Sequence, residues 1–363
     1  MLTTRGLLLF SLIALALSPA PGGFCQDQPQ VAPLPPDSHE LVTGTTQVPG
    51  TPEERSAVLS LLERARQNAD LHAPGSAAFN LRLNFSAGGS VQQTGTGEME
   101  ETWFGPYSFR WTARLGNFSL DRISTGGRIF DDKPADFIPI RLQMLRGAVF
   151  WPINFEQAHT LIRTAAVTWK GKELTCVLSS GDMSAATPTP GRRWVEREFC
   201  IENKTGLLQI LSDAPGIYII YDYTNALKFH GRVLPRQFSI VEGGNTVLES
   251  HLESIADAIS GADSLSPSEQ MKTHGPGPLL GGTVRFPRFV SVAPGAATVQ
   301  PVIVHAILDR NGNVGDAELV ENSGTQLGQS ALDLVKRSTY PRVERTGDGH
   351  QLEAFINVQF VSQ

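Results

Sequence analysis

Beyond its first twenty residues the sequence has no apolar run long enough to cross a bilayer, which takes about 20 residues. It has no basic cluster longer than pairs such as Arg192-Arg193. With a net charge of −6 and a pI near 5.8, nucleic acid is not an expected partner, since that needs clustered lysine and arginine. Catalytic signatures are missing as well: there is no G-x-S-x-G elbow, no Walker loop and no H-E-x-x-H. The eight histidines are scattered, and no two have a metal-ligand spacing on one helix face. No enzyme activity, cofactor or metal is therefore expected. A hydrolase that gathers polar groups from distant segments of a β-rich scaffold stays open as an alternative.

Several features that invite a chemical reading have plainer ones. Asp309-Arg310-Asn311-Gly312-Asn313 resembles the start of a calcium loop. The glycine position of such a loop is Val314, however, and its bidentate acid position is Val320, so a hairpin turn explains it better. Glu100-Glu101 and Asp131-Asp132 are adjacent acids. On a strand, neighbours point to opposite faces, so neither pair is an acid/base dyad by itself. His251 and His305 sit in strand-like runs and are read as facing solvent.

Cysteine is scarce, with three in 363 residues. Arg5, the apolar run Leu7–Leu17 and the small residues Ser18 to Gly23 describe a secretory signal peptide over residues 1–25. A retained anchor and a lipidated Cys25 are the two alternatives. If Cys25 leaves, Cys176 and Cys200 remain as an even pair in an oxidising compartment. They lie in strand-like runs that could bring the sulfurs together as a disulfide; two separate buried thiols are the other reading.

Residues 26–50 have a leader's composition, rich in Gln, Pro, Thr and Gly. Thr51-Pro52-Glu53-Glu54 opens a helix with a capping box, continued by Val58, Leu61, Leu62, Ala65 and Ala69 at helical spacing. Alternation then takes over. Phe79, Leu81, Leu83 and Phe85 form one dry face, and Phe109, Trp111, Ala113 and Leu115 another. A short helix after Pro139 interrupts a series of strands that runs to Ile255. Residues 257–283 have the Gly, Pro and Ser content of a linker. In the last eighty residues Val302–Leu308, Val314–Val320, a helical stretch from Leu327 to Val335 and a final strand to Phe360 follow in order. The fold class is α+β, with a large antiparallel β-rich region over 51–256 and a small β-β-α-β unit over 284–363.

The small unit carries a specific resemblance. Val302-Ile303-Val304, Asp309 to Val314, Val320-Glu321-Asn322-Ser323-Gly324, Leu327, Ala331-Leu332, Tyr340-Pro341 and Phe355 to Phe360 resemble the TonB C-terminal domain family in order and spacing. Gly328, where many relatives carry Asp, is a departure at the helix start. The resemblance implies an envelope role and an outer-membrane-receptor-like protein partner that adds a strand to a sheet edge. By that analogy Phe355, Ile356, Asn357, Val358, Gln359 and Phe360 form the docking edge; an edge that is covered or self-associating is the alternative. The chain lacks the Pro/Lys/Glu spacer of an energy transducer, so binding rather than force transmission is the expected inheritance, with an anchored transducer as the alternative. More generally, residues 52–256 resemble the LolA/LolB-like family of periplasmic lipoprotein carriers, through the opening helix, the aromatic strands and the stretch Asp222-Tyr223 to Arg236. That resemblance implies a half-barrel over an apolar cavity for a lipid or acyl chain, lined by Trp103, Phe109, Trp111, Tyr221 and Tyr223, unless those rings fill a closed core. Neither resemblance implies an oligomeric state.

Overall fold

The computed structural model describes residues 40–133, 138–154, 161–181, 191–193, 196–259, 264–274, 284–285, 288–292, 302–309, 311–320, 328–340 and 352–362. The signal-peptide expectation and most of the leader lie outside them. Helix α1 (Pro52–Ala69) begins at the capping box read from the sequence. The Thr51 hydroxyl accepts the Glu54 N–H at 3.1 Å, and the Glu54 carboxylate accepts the Thr51 N–H at 3.2 Å.

Five strands follow as a meander: β1 (Phe79–Ala87), β2 (Gly95–Gly105), β3 (Ser108–Leu115), β4 (Phe118–Thr125) and β5 (Arg128–Asp131). Helix α2 (Ile140–Phe150) comes next, then β6 (Leu161–Trp169), β7 (Lys172–Ser180), β8 (Arg197–Glu202), β9 (Leu208–Ala214) and β10 (Ile217–Asp222). The short hairpin β11 (Leu227–Phe229) and β12 (Arg232–Leu234) stands apart, and β13 (Gln237–Glu242), β14 (Asn245–Asp257) and β15 (Lys272–His274) complete the large region. Thirteen of these strands make one antiparallel sheet in the order β15-β5-β4-β3-β2-β1-β14-β13-β10-β9-β8-β7-β6. Its two end strands do not pair with each other, so the sheet is an open half-barrel rather than a closed one. On β1 the residues expected on the dry face (Phe79, Leu81, Leu83, Phe85) are all buried. They join one core with α2, almost every residue of which is buried.

Two segments read as unstructured connections take part in the fold. Lys272–His274, within the expected linker, pairs with β5 and extends the sheet. Residues 40–47, within the expected leader, lie along the far end of the sheet. There Gln47 and Thr164 exchange both backbone hydrogen bonds at 2.8 Å, and Val42 fills a small second core with Leu174, Leu178 and Tyr218. Composition missed both, because three-residue strands and single anchoring side chains leave no periodic trace.

The C-terminal region contains β16 (Val284–Arg285), β17 (Arg288–Val292), β18 (Val302–Leu308), β19 (Val314–Leu319), α3 (Gly328–Arg337) and β20 (Leu352–Ser362). It has its own hydrophobic interior: Val302, Val304 and Ala306 of β18 and Ala354, Ile356 and Val358 of β20 pack with Ala331 and Val335 of α3. The hairpin between β18 and β19 is the turn expected from Asp309 to Asn313. The Asp309 carboxylate accepts the backbone N–H groups of Asn311 (2.8 Å) and Asn313 (2.9 Å). Gly312 takes a positive φ of 83°, where a β-carbon would stand 1.9 Å from the Tyr340 carbonyl oxygen.

Candidate functional site

Three places concentrate buried polar chemistry. The first is the concave face of the sheet beneath α2. Glu101 on β2 points inward while its neighbour Glu100 points out to Arg82 at 3.0 Å, as strand alternation requires. The Arg146 guanidinium on α2 makes a two-point contact with the Glu101 carboxylate at 2.8 and 3.1 Å. It lies 4.6 Å from the Trp111 ring centre and 5.0 Å from that of Trp151. His72 approaches Glu101 to 2.8 Å and stacks on Phe150 at 4.6 Å. Burial pushes the Glu101 carboxyl up, but Arg146 and His72 outweigh it and hold the group below the usual carboxylate range. This is a buried ion pair inside an aromatic box.

The second place is the outer face at the far end of the sheet. Cys176 and Cys200 stand opposite each other on β7 and β8 and form a disulfide with an S–S distance of 2.00 Å. Closing a loop of this size stabilises by about 3 kcal/mol. Glu198 comes close to both cysteines, within 4.8 Å, but sulfurs bonded to each other offer no thiolate to a metal. Arg192, fully buried, holds this end together: it donates to Ser212 and to the Glu196 carbonyl and faces Glu40 at 3.5 Å and Glu198 at 3.4 Å.

Burial pushes the Glu198 carboxyl up to about 8; Arg192 opposes the shift, and Glu40 and Glu196 reinforce it. The folded value lies above the unfolded one, so this group lowers stability as the pH rises from about 4.5 towards 8. Glu198→Gln, which keeps the neutral shape, should flatten that slope. At pH 8 it should be the more stable protein by on the order of 3 kcal/mol. Urea unfolding at pH 5 and pH 8 checks this, and a variant no more stable than wild type at pH 8 contradicts it.

The third place is the seam between the C-terminal sheet and the large region. One face of β18 and β20 packs under α3; the other, with Ile303, His305, Glu353, Phe355 and Asn357, is buried against the large region. His305 is therefore inside rather than solvent-facing, 2.7 Å from Glu353. Glu353 accepts the backbone N–H groups of Ile140 (2.6 Å) and Gln92 (3.2 Å). Asn357 donates to the Pro215 carbonyl at 3.2 Å, and Ser90 donates to the Leu319 carbonyl at 3.1 Å.

The expected docking edge needs correction. β20, which carries Phe355 to Phe360, is an interior strand: β18 pairs with it antiparallel on one side, and β16 and β17 pair with it parallel on the other. The signal was Arg288–Val292, an apolar run that sequence reading left unassigned because parallel pairing with partners seventy residues away leaves no local pattern.

Residues 300–361 match the family described as Gram-negative bacterial TonB protein C-terminal. The TonB-type match thus covers β18, β19, α3 and most of β20, and stops short of β16 and β17. No curated protein matches the chain.

Among solved structures, the chain is similar to a LolA superfamily protein from Nitrosomonas europaea, at 10% identity and TM-score 0.37, over 58% of this chain and 97% of that one. A domain from Vibrio parahaemolyticus assigned as an outer membrane lipoprotein-sorting protein shares 10% identity and a TM-score of 0.35, over 56% and 94%. LprF from Mycobacterium bovis shares 7% identity and a TM-score of 0.24, over 60% and 100%.

The five aromatic residues expected to line a lipid cavity are brought together, but as filled core. Trp103, Phe109, Trp111 and Tyr221 are buried in the cluster that includes α2, and Tyr223 packs against it. The Tyr221 hydroxyl donates to the Ala148 carbonyl on α2 at 3.1 Å. The void on this face lies elsewhere, about 210 Å3 between α2 and β9–β10, lined by Met144, Ala148, Trp151, Leu211, Ile217 and Ile219 among others. Sequence reading missed this void and also the Glu101–Arg146 and Glu353 contacts, since each joins residues far apart in the chain.

Proposed function

We propose that this chain is a non-enzymatic protein of the Gram-negative periplasm that binds an envelope protein, outer-membrane-receptor-like in kind, through its TonB-type module over residues 284–363. The observation that carries the reading is the module's construction: it has an interior of its own, and among the described residues the outer side of β20 is covered by the short strands β16 and β17 alone, which pair with no further strand there. An extended partner segment would add backbone hydrogen bonds at that side, beyond β17 or in its place. A binding rather than catalytic role is supported by the buried ionisable groups, which are engaged with one another: Arg146 with Glu101, Arg141 with Glu242, Arg163 with Glu196. No helix among the described residues is long and apolar enough to cross a membrane.

A lipid or acyl chain in the large region is the second part of the reading. The void of about 210 Å3 mixes apolar Met144, Leu211, Ile217 and Ile219 with polar Gln143, Asn154, Arg197 and Asp213 on its wall, and its volume suits a short apolar group rather than a whole acyl chain. A longer chain would need α2 to move.

The test places a photo-reactive amino acid at Val290 on β17 and, as a control, at exposed Gln329 on α3, in the native host. Crosslinks to an outer-membrane or periplasmic protein from position 290 and none from position 329 are expected. No crosslink from position 290, or the same products from both positions, overturns the reading.

A further inference from the structure

Helix α2 has no cap of its own. Its N-cap, Pro139, offers no side-chain acceptor, and its first turn holds no acidic residue. A helix N-terminus leaves backbone N–H groups without partners and favours a negative charge nearby. Here the missing carboxylate comes from another part of the chain: Glu353 on β20 accepts the Ile140 N–H at 2.6 Å, and both groups are buried. The next residue is tied to the same strand. The Arg141 guanidinium lies 5.4 Å from the Phe355 ring centre while it pairs with Glu242 and donates to the Gly88 carbonyl at 3.1 Å. From its first turn onward α2 fills the concave face, with Leu142, Leu145 and Phe150 in the aromatic core.

From these contacts we infer that the TonB-type module is a latch on α2, with Glu353 as its catch. With the module docked, Glu353 completes the start of α2 and Phe355 covers Arg141, so α2 stays seated and the aromatic interior is closed. With the module lifted, the Ile140 N–H loses its acceptor and Arg141 loses its cover, so the first turn of α2 loosens while Arg141–Glu242 and Arg146–Glu101 still hold the helix to the large sheet. Whatever displaces the module therefore loosens the start of α2 over the aromatic interior. This inference rests on the seam alone and does not depend on what the module binds.

Hydrogen exchange on the full-length protein tests it, with binding of the dye 1-anilinonaphthalene-8-sulfonate as a second readout. Glu353→Gln keeps the shape and removes the charge. It should speed exchange of the α2 amides by roughly tenfold, the scale of one lost charge-assisted hydrogen bond, and raise dye fluorescence, while β1–β3 exchange as in wild type. Should Glu353→Gln loosen the whole chain, Ser90→Ala decides. Ser90 donates across the seam to the Leu319 carbonyl, and its substitution removes that bond without altering a side chain of α2 or of the module. Faster α2 exchange in Ser90→Ala with unchanged β1–β3 supports the latch. Wild-type α2 exchange in Ser90→Ala, or in a folded Glu353→Gln, overturns it.

Discussion

Glu101→Gln should lower the unfolding free energy by about 3–5 kcal/mol, the usual cost of removing one partner from a buried ion pair. The size follows from where Arg146 is left. Its guanidinium would remain among Phe109, Trp111, Phe150 and Trp151, out of water, with only a neutral amide in front of it. Replacing both partners together, as in Glu101→Leu with Arg146→Met, should recover most of the loss, because an apolar pair of similar volume carries no desolvation cost. The same pair gives a pH dependence of definite sign. The Glu101 carboxyl is held below its ordinary value of 4.5 in the folded state, so its contribution is complete above that pH and is lost as the pH falls further. Urea unfolding of wild type and Glu101→Gln at pH 7 and pH 4 reads both effects. Equal stability of the two proteins at pH 7 would remove the ion pair from the account.

Gly312→Ala should cost roughly 3 kcal/mol, and the loss should fall on the C-terminal module. A β-carbon in the left-handed region costs about 1–2 kcal/mol by itself, and strained backbone that the surroundings must hold adds about 1–3. Here the new methyl group would meet backbone, the Tyr340 carbonyl oxygen at 1.9 Å, rather than a side chain that could swing away. Moving Tyr340 also disturbs the hydrogen bond from its N–H to the Gly312 carbonyl, 2.8 Å. Circular dichroism during thermal unfolding should show an early partial transition in this variant, with most of the β signal of the large sheet unchanged. An unfolding curve that overlays wild type would mean that the turn does not pin the end of α3.

The parts of this fold that were legible in the sequence are those written in local patterns. The capping box of α1, the alternation of β1 and β3 and the Asp309–Gly312 turn each depend on residues near one another or on strict periodicity, and the disulfide pair was one of two readings left by the cysteine count. Glu100 and Glu101 were correctly separated onto two faces by alternation alone, yet alternation could not say that Glu101 meets Arg146, 45 residues away.

The C-terminal sheet shows the limit most clearly. Val302–Leu308 was read only as a strand, and its continuous apolar run held a second message: both faces are buried. Taken that way, His305 belongs inside and needs a partner, which Glu353 supplies. The docking edge was misplaced for a related reason. A strand is an edge only if nothing pairs with it, and the segment that pairs with β20 is far away in sequence. The aromatic residues Trp103, Phe109, Trp111 and Tyr221 were offered as a cavity lining or the filling of a closed core; which of the two they form depends on α2, whose position is decided by tertiary contacts.

Native-state hydrogen exchange on the intact chain, followed across low concentrations of denaturant, addresses the central claim most directly: that the final residues pack around an interior of their own while resting on the large sheet. The amides of β18, β20 and α3 should open together as one cooperative unit, at a lower free energy than β1, β2 and β14. If those amides instead open only with the large sheet, or show no protection at all, the C-terminal segment is not a separate module and the binding function proposed for it fails.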